Sequence, residues 1–207
     1  MDRKEHWENT YTTRPGSELS WYQEYPVISL AMIRRSGIGI GSPIIDVGGG
    51  ASVLVDCLLE EGFEDLTVLD ISSTALSAPR RRLGARAREV EWITQDVTTF
   101  VAGRPYSLWH DRAVFHFLTR EKDRKRYLQA MCLALQPGGQ AVIAAFAVGG
   151  PEKCSGLDIV QYDASRLARE LGAEFQLLEQ EQEDHLTPAG AIQKFGYYRF
   201  IRASAGR

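Results

Sequence analysis

Two hydrophobic periods run through this chain. Compact apolar runs, "SPIIDV", "LTVLD", "VEWITQD", "YSLWHD" and "QAVIAAFA", have the look of buried strands. Between them lie stretches with apolar residues three and four apart. In "SVLVDCLLEEG" these are Val53, Leu54, Cys57 and Leu58, and Gly62 supplies a stop. "SSTALSAPRRRLGARA" predicts a helix capped by Ser72 or Ser73, with Pro79 expected to kink it or delay its start. "TREKDRKRYLQAMCLALQPGG" predicts a long helix closed by Pro137 and Gly138, and "DASRLARELG" a further one. "FQLLEQEQED" and "FGYYRFIR" predict two final strands with no helix between them, hence an antiparallel pair set into or along the sheet. Strand and helix otherwise alternate. That implies an α/β fold: a doubly wound, mostly parallel seven-stranded sheet with one antiparallel strand and helices on both faces.

No repeat or linker divides the chain, so residues 1–207 are expected to form a single domain. Residues 1–41 precede the first strand and carry Trp7, Tyr11, Trp21, Tyr22 and Tyr25, which predicts a helical cover rather than a tail. The net charge of −3 gives no footprint for nucleic acid. The arginine cluster Arg80, Arg81, Arg82, Arg86 and Arg88 reads as a solvated helix face. No apolar run approaches the ~20 residues of a membrane span, and the charged start "MDRKEHWENT" lacks the apolar core of a signal peptide. Cys57, Cys132 and Cys154 form no C-x-x-C pair, which fits a reducing cytoplasm and argues against structural zinc. A monomer is compatible with all of this, and the oligomeric state stays open.

The first strand ends in an acid and three glycines, "IIDVGGG". Glycines in a row cost backbone entropy and pack nothing, so the backbone itself is expected to touch a ligand there. A dinucleotide fingerprint would need a glycine where Val53 stands, and no Gly-Lys-Ser/Thr follows for a P-loop. Acids instead mark three strand ends: Asp46 before the glycines, Asp70 after the second strand and Asp96 after the third. Acids around a glycine turn suit a ligand with a cationic end and no phosphates. S-adenosylmethionine is such a ligand, with an ammonium, a sulfonium, a ribose and an adenine.

"IIDVGGGAS", "LTVLDIS", "WITQDV" and "LQPGGQAVIAAF" together resemble the ordered motifs of class I S-adenosylmethionine-dependent methyltransferases. The resemblance implies that Asp46 holds the methionine ammonium and that Gly48 and Gly50 let the cofactor lie against the turn. It implies further that Asp70 binds the ribose, Ile71 packs on the adenine, and Asp96 with Val97 receives the adenine amino group.

Methyl transfer from a sulfonium is mainly a matter of alignment, with a base or a low pKa needed where the nucleophile carries a proton. The end of the fourth strand, "YSLWHDRAVFHFL", places His110, Asp111 and Arg112 in sequence, the expected catalytic group. His116 follows, between Phe115 and Phe117; it is either a core histidine or part of the acceptor site. "DRAVFHF" and "HWENTYTTRPGSELSWYQEYP" resemble the thiopurine methyltransferase-like group of small-molecule S- and Se-methyltransferases. In that likeness Trp21 belongs to the cofactor cover, and Trp7, Tyr11 and Tyr22 face the acceptor. Cys154, in the glycine-rich "FAVGGPEKCSG", is expected to be exposed, with a thiol of lowered pKa near the acceptor. His185 and Gln193 flank a "TPAG" turn that would border the pocket. Cys154, His110 and His185 match no recognised metal-ligand spacing, so no metal is expected. The expected activity is methylation of a small thiol or selenol. A protein lysine methyltransferase of similar size is the alternative, and a cofactor-binding regulatory subunit without activity the second.

Overall fold

A computed structural model describes residues 2–204; residues 1 and 205–207 of the expected unit lie outside the described residues. The order of elements is α1 (Arg3–Thr13), α2 (Val27–Arg35), β1 (Ile44–Val47), α3 (Leu54–Glu60), β2 (Leu66–Asp70), α4 (Ser73–Leu83), β3 (Val90–Thr94) and β4 (Tyr106–Arg112). Then come α5 (Glu121–Ala134), β5 (Leu135–Phe146), β6 (Lys153–Cys154), β7 (Leu157–Asp158), α6 (Ala164–Leu171), β8 (Phe175–Leu186) and β9 (Ile192–Arg202). Seven strands form one sheet in the order β3-β2-β1-β4-β5-β9-β8. β1 pairs in parallel with both β2 and β4, and only β9 runs against its neighbours β5 and β8. The expected fold class is therefore the observed one.

Strand alternation sorts the sheet's side chains into two cores. Ile45, Val47, Trp109 and Ile143 pack toward α5 and α6, with Tyr127 and Leu167. Ile44, Leu108, Val142 and Phe146 pack on the other face, with Leu30 and Ile33 of α2 and Leu54 and Leu58 of α3. Residues 2–41 contain α1, a short 3-10 turn at Gly16–Glu18 and α2. Among the described residues no helix is long and apolar enough to cross a membrane.

Two local expectations change. The helix before β5 stops at Ala134, not at the Pro-Gly pair. Leu135 takes an extended backbone and pairs with Tyr106, whereas the next pair is Leu108 with Gln140. The Pro137-Gly138 segment is thus an irregularity inside β5, with Gly138 at φ 77°. Pro restricts the residue before it to extended conformations, which favours this outcome. In α4 the helix starts at Ser73 with Ser72 as cap, and Pro79 sits buried within it rather than delaying it.

Candidate active site

The order of strands reverses between β1 and β4, and in open parallel sheets ligands bind beyond the carboxyl ends at such a point. Two clefts open there. The first has a cavity volume of about 90 Å³ and is lined by Asp70, Ile71, Asp96, Val97, Ala113, Val114 and Phe117, among others. The second, with a cavity volume of about 50 Å³, is lined by Asp46, Gly49, Ser29, His110, Tyr22 and Gln23. Tyr11, Trp21, Gly48 and Arg112 line both, so one elongated ligand can run through the two clefts past these four residues.

The glycine turn is as tight as its sequence implies. Gly48 has φ 69°, and a Cβ there would stand 2.0 Å from a methyl of Val114. At Gly50 a Cβ would come within 2.7 Å of the Asp70 carboxylate. Glycine therefore keeps the floor of the clefts open and leaves Asp70 reachable. Asp70 Oδ1 accepts the Ser72 backbone N–H at 2.8 Å. Burial nevertheless raises its pKa to about 7. The Asp96 side chain accepts the Thr98 N–H at 2.8 Å, and Arg3 of α1 reaches across to it at 3.8 Å.

The cover meets this floor through aromatic rings. Trp7 packs edge-on against Trp21 and Phe117, with ring centroids 5.7 and 5.0 Å apart, and Tyr11 lies 6.4 Å from Trp21. Glu8 fixes α1 from below. Its carboxylate accepts from Ser72 Oγ, Ser73 N, Ser73 Oγ and Thr74 N at 2.9, 2.8, 2.9 and 3.1 Å, so it caps α4 from another element. The pKa of Glu8 falls to about 2; burial opposes this, and the bonds from Thr74, Ser73 and Ser72 overcome it. Residues 20–23 are pinned to the sheet as well. Arg112 Nη1 donates to the Trp21 carbonyl at 2.7 Å, and Gln23 Nε2 to Glu183 at 2.8 Å. His185 Nε2 lies 2.8 Å from the Ser20 carbonyl. Glu8, Gln23 and Glu183 escaped sequence reasoning, because each acts on a partner far away in the chain and no local pattern marks them.

The "His-Asp-Arg" group divides. Adjacent strand residues point to opposite faces, so His110 and Arg112 share one face of β4 and Asp111 takes the other. Asp111 lines neither cleft. Its oxygens accept the backbone N–H groups of Val114 and Phe115 and the Tyr127 hydroxyl, the last at 2.6 Å. Burial lifts its pKa to about 6. This corrects the expectation that Asp111 assists deprotonation of an acceptor: it shapes the turn after β4. His110 does line the second cleft, with Nδ1 2.7 Å from Asp46 Oδ1 and Nε2 2.9 Å from Ser29 Oγ, so both ring nitrogens are engaged.

Two acceptor-side expectations are also corrected. Cys154 is buried in the β6–β7 hairpin, and burial pushes its thiol up to about 11, against the exposed, acidified thiol expected. His116 is fully buried between Phe117 and Phe146 and lines neither cleft. Burial, aided by the Arg112 charge, lowers its pKa to about 3, so it is a neutral core histidine. Trp7, Tyr11 and Tyr22 do line the clefts, Trp7 the first, Tyr22 the second and Tyr11 both. Among the described residues no group of three or more His, Cys, Asp or Glu could hold a metal ion.

Residues 44–139 match the family model described as a methyltransferase domain. That match spans 96 of the chain's 207 residues. The two clefts carry acids from the strand ends, glycines of the turn after β1 and aromatic rings of the N-terminal segment. The mouse and zebrafish (Danio rerio) eEF1A lysine and N-terminal methyltransferases are 24% and 26% identical over 45% and 69% of this chain. Those matches span only 13% and 21% of the relatives' own length. A methyltransferase structure from Anabaena variabilis superposes with a TM-score of 0.77 at 15% identity, covering 98% of this chain and 96% of that one. The structure solved for conversion of a disulfide bond into a thioacetal group in echinomycin biosynthesis gives 0.76 at 17% identity, covering 99% and 93%. The N-methyltransferase NodS from Bradyrhizobium japonicum, bound to S-adenosylhomocysteine, gives 0.69 at 16% identity, covering 97% and 99%.

Proposed function

We propose that this domain methylates a small acceptor at a soft nucleophilic atom, a thiol or selenol, under a cover formed by residues 1–41. The carrying observation is the largely apolar lining of the first cleft. It includes Trp7, Trp21, Ala113, Val114, Phe117 and Leu118, and its acids, Asp70 and Asp96, are the groups this reading gives to the nucleoside. Such a wall supplies positioning and excludes water but offers no free general base. His110 is bonded at both nitrogens and Asp111 faces Tyr127. An acceptor that ionises readily in water needs no such base. The likeness of "DRAVFHF" and the tryptophan-bearing N-terminal segment to the thiopurine methyltransferase-like group supports the same reading.

In this arrangement Asp70 would hold the ribose hydroxyls, Asp96 the adenine amino group and Asp46 the ammonium, with His110 and Ser29 keeping Asp46 oriented. The bound cofactor supplies an electrophilic methyl group. The chain's part is to place the acceptor in line with it and to close α1 over both.

A second reading, methylation of a protein amine, is favoured by the names of the curated relatives. One experiment separates the two. Purified protein with methyl-labelled cofactor is offered small thiols, selenols, small amines and protein extract. Transfer to thiols or selenols is expected. Label confined to protein lysines or N-termini would overturn the small-acceptor reading.

A further inference from the structure

Ala113 carries a Cβ and yet has a left-handed backbone, with φ 71°. Among the described residues Ser155, in the β6–β7 hairpin, is the other non-glycine residue with a positive φ. L-residues avoid that region, so the surroundings must impose it. Asp111, two residues earlier, does so. Its Oδ1 accepts the Val114 backbone N–H at 2.9 Å and its Oδ2 the Phe115 N–H at 3.1 Å. The Ala113 N–H donates to the Ala144 carbonyl of β5 at 2.9 Å, which anchors the other side of the turn. Asp111 is held from behind in its own right. The Tyr127 hydroxyl of α5 donates to Oδ2 at 2.6 Å, and Trp109 Nε1 donates to the Tyr127 oxygen at 2.8 Å. Trp109, Asp111, Phe115 and Tyr127 are all fully buried. Burying a carboxylate is costly, and here it serves the backbone of one short turn.

That turn meets the rest of the site at three points. Val114 stands over Gly48, where a Cβ would come 2.0 Å from its methyl. Arg112, at the start, donates to the Trp21 carbonyl of the cover at 2.7 Å. Phe117, at the end, packs edge-on against Trp7 of α1 with ring centroids 5.0 Å apart. Ala113, Val114 and Phe117 line the first cleft, and Arg112 lines both. The turn therefore sets the gap between the glycine floor and the aromatic cover.

We propose that Asp111 is a positioning residue for methyl transfer: through the Ala113–Val114 turn it fixes the wall of the first cleft that aligns the acceptor, while touching neither acceptor nor cofactor itself. The proposal rests on the small-acceptor reading only for what lies against that wall. Its consequence is one of alignment, since a displacement of about 1 Å can cost a hundredfold in rate.

Asp111→Asn tests this. An amide has one acceptor oxygen where the carboxylate has two, so the Val114 or the Phe115 N–H loses its partner whichever way the group turns. Turnover is read with thiophenol, cofactor affinity by calorimetry with S-adenosylhomocysteine, and the turn by amide exchange without ligand. The variant should lose about tenfold to a hundredfold in kcat and bind S-adenosylhomocysteine within about threefold of wild type. Exchange at Val114 and Phe115 should quicken about tenfold or more, with β1 and β5 as protected as before. Tyr127→Phe removes one bond to Oδ2 and leaves both amide bonds, so it should show a smaller loss of kcat in the same direction. That variant decides the matter if Asp111→Asn does not fold. A parallel loss of kcat and of S-adenosylhomocysteine affinity would make Asp111 a fold or cofactor residue and overturn the proposal. Quickened exchange with unchanged kcat would overturn it too, as would unchanged exchange at Val114 and Phe115. A wild type inactive on thiophenol counts against the small-acceptor reading instead. The same variants are then compared on the lysine or N-terminal acceptors of a protein extract, where the proposal stands or falls on the same split.

Discussion

Asp70 meets two opposed demands. In the proposed function its carboxylate faces a ribose, yet it is buried, and burial raises its pKa from 3.8 to about 7. A carboxyl whose pKa rises on folding favours the fold while protonated. That contribution is full below 3.8 and is lost as pH rises through about 7. Above pH 7 the ligand-free protein therefore carries a destabilising charge. Asp70→Asn keeps an acceptor for the Ser72 N–H and removes the charge. It should stabilise the ligand-free protein by about 1–3 kcal/mol at pH 8, with little gain at pH 4. The same change should weaken S-adenosylhomocysteine about tenfold or more, because the ribose hydroxyls lose a charged acceptor. Thermal unfolding at both pH values and calorimetry at pH 8 read the two effects; a variant less stable than wild type at pH 8 would remove this account of Asp70. In the wild type, affinity should fall as pH drops below about 7. At this scale the three strand-end acids and the glycine turn could be read from composition and spacing. Asp111 was misassigned although the strand rule already parts it from His110 and Arg112, because adjacency in sequence is not adjacency on a face.

Helix α1 has little apolar surface to hold it, since none of its residues is buried. Besides the ring contacts of Trp7 and Tyr11, its attachment is by charged groups: Glu8 on the start of α4, and Arg3 toward Asp96 and Asp123 at 3.8 and 3.4 Å. The Glu8 pKa lies at about 2, below its ordinary 4.5. Its contribution is therefore present above pH 4.5 and is lost as pH falls toward 2. Glu8→Ala should release α1 at neutral pH, at a cost of about 0.5–2 kcal/mol, the range for a lost helix cap. Hydrogen exchange should quicken over residues 3–13 and at the first turn of α4, while β1 and β4 stay protected. Unchanged exchange in α1 would show that the aromatic contacts suffice without Glu8. Elements were legible wherever their hydrophobic period was strong, as in β1, β2, β4 and α3. The start of β5 and the β6–β7 hairpin were not. A Pro-Gly pair is a stop signal in sequence, whereas here it is absorbed as an irregularity inside a strand.

The whole molecule separates into a body and a cover. Both hydrophobic cores are complete without the first 18 residues, since their earliest fully buried member is Leu30 and the earliest residue packed against them is Trp21. Those 18 residues nevertheless supply Arg3, Trp7 and Tyr11 to the first cleft and Tyr11 and Gly16 to the second. The alternation of strand and helix makes the body readable from sequence. The cover's docking depends on contacts at long range, such as Glu8 with Ser72 and Ser73, which no periodicity encodes. Deleting residues 1–18 should therefore leave a cooperatively unfolding protein that has lost its response to cofactor. For the intact chain, S-adenosylhomocysteine at a hundred times its dissociation constant should stabilise by about 2.7 kcal/mol. At the same ligand concentration the truncated chain should gain less than about a third of this, because the roof and the Arg3 end of the site are gone. A truncated chain that melts without cooperativity would place residues 1–18 in the fold itself. A truncated chain that keeps the full stabilisation would show that the cofactor is held by the strand ends and the glycine turn alone, leaving the cover to the acceptor.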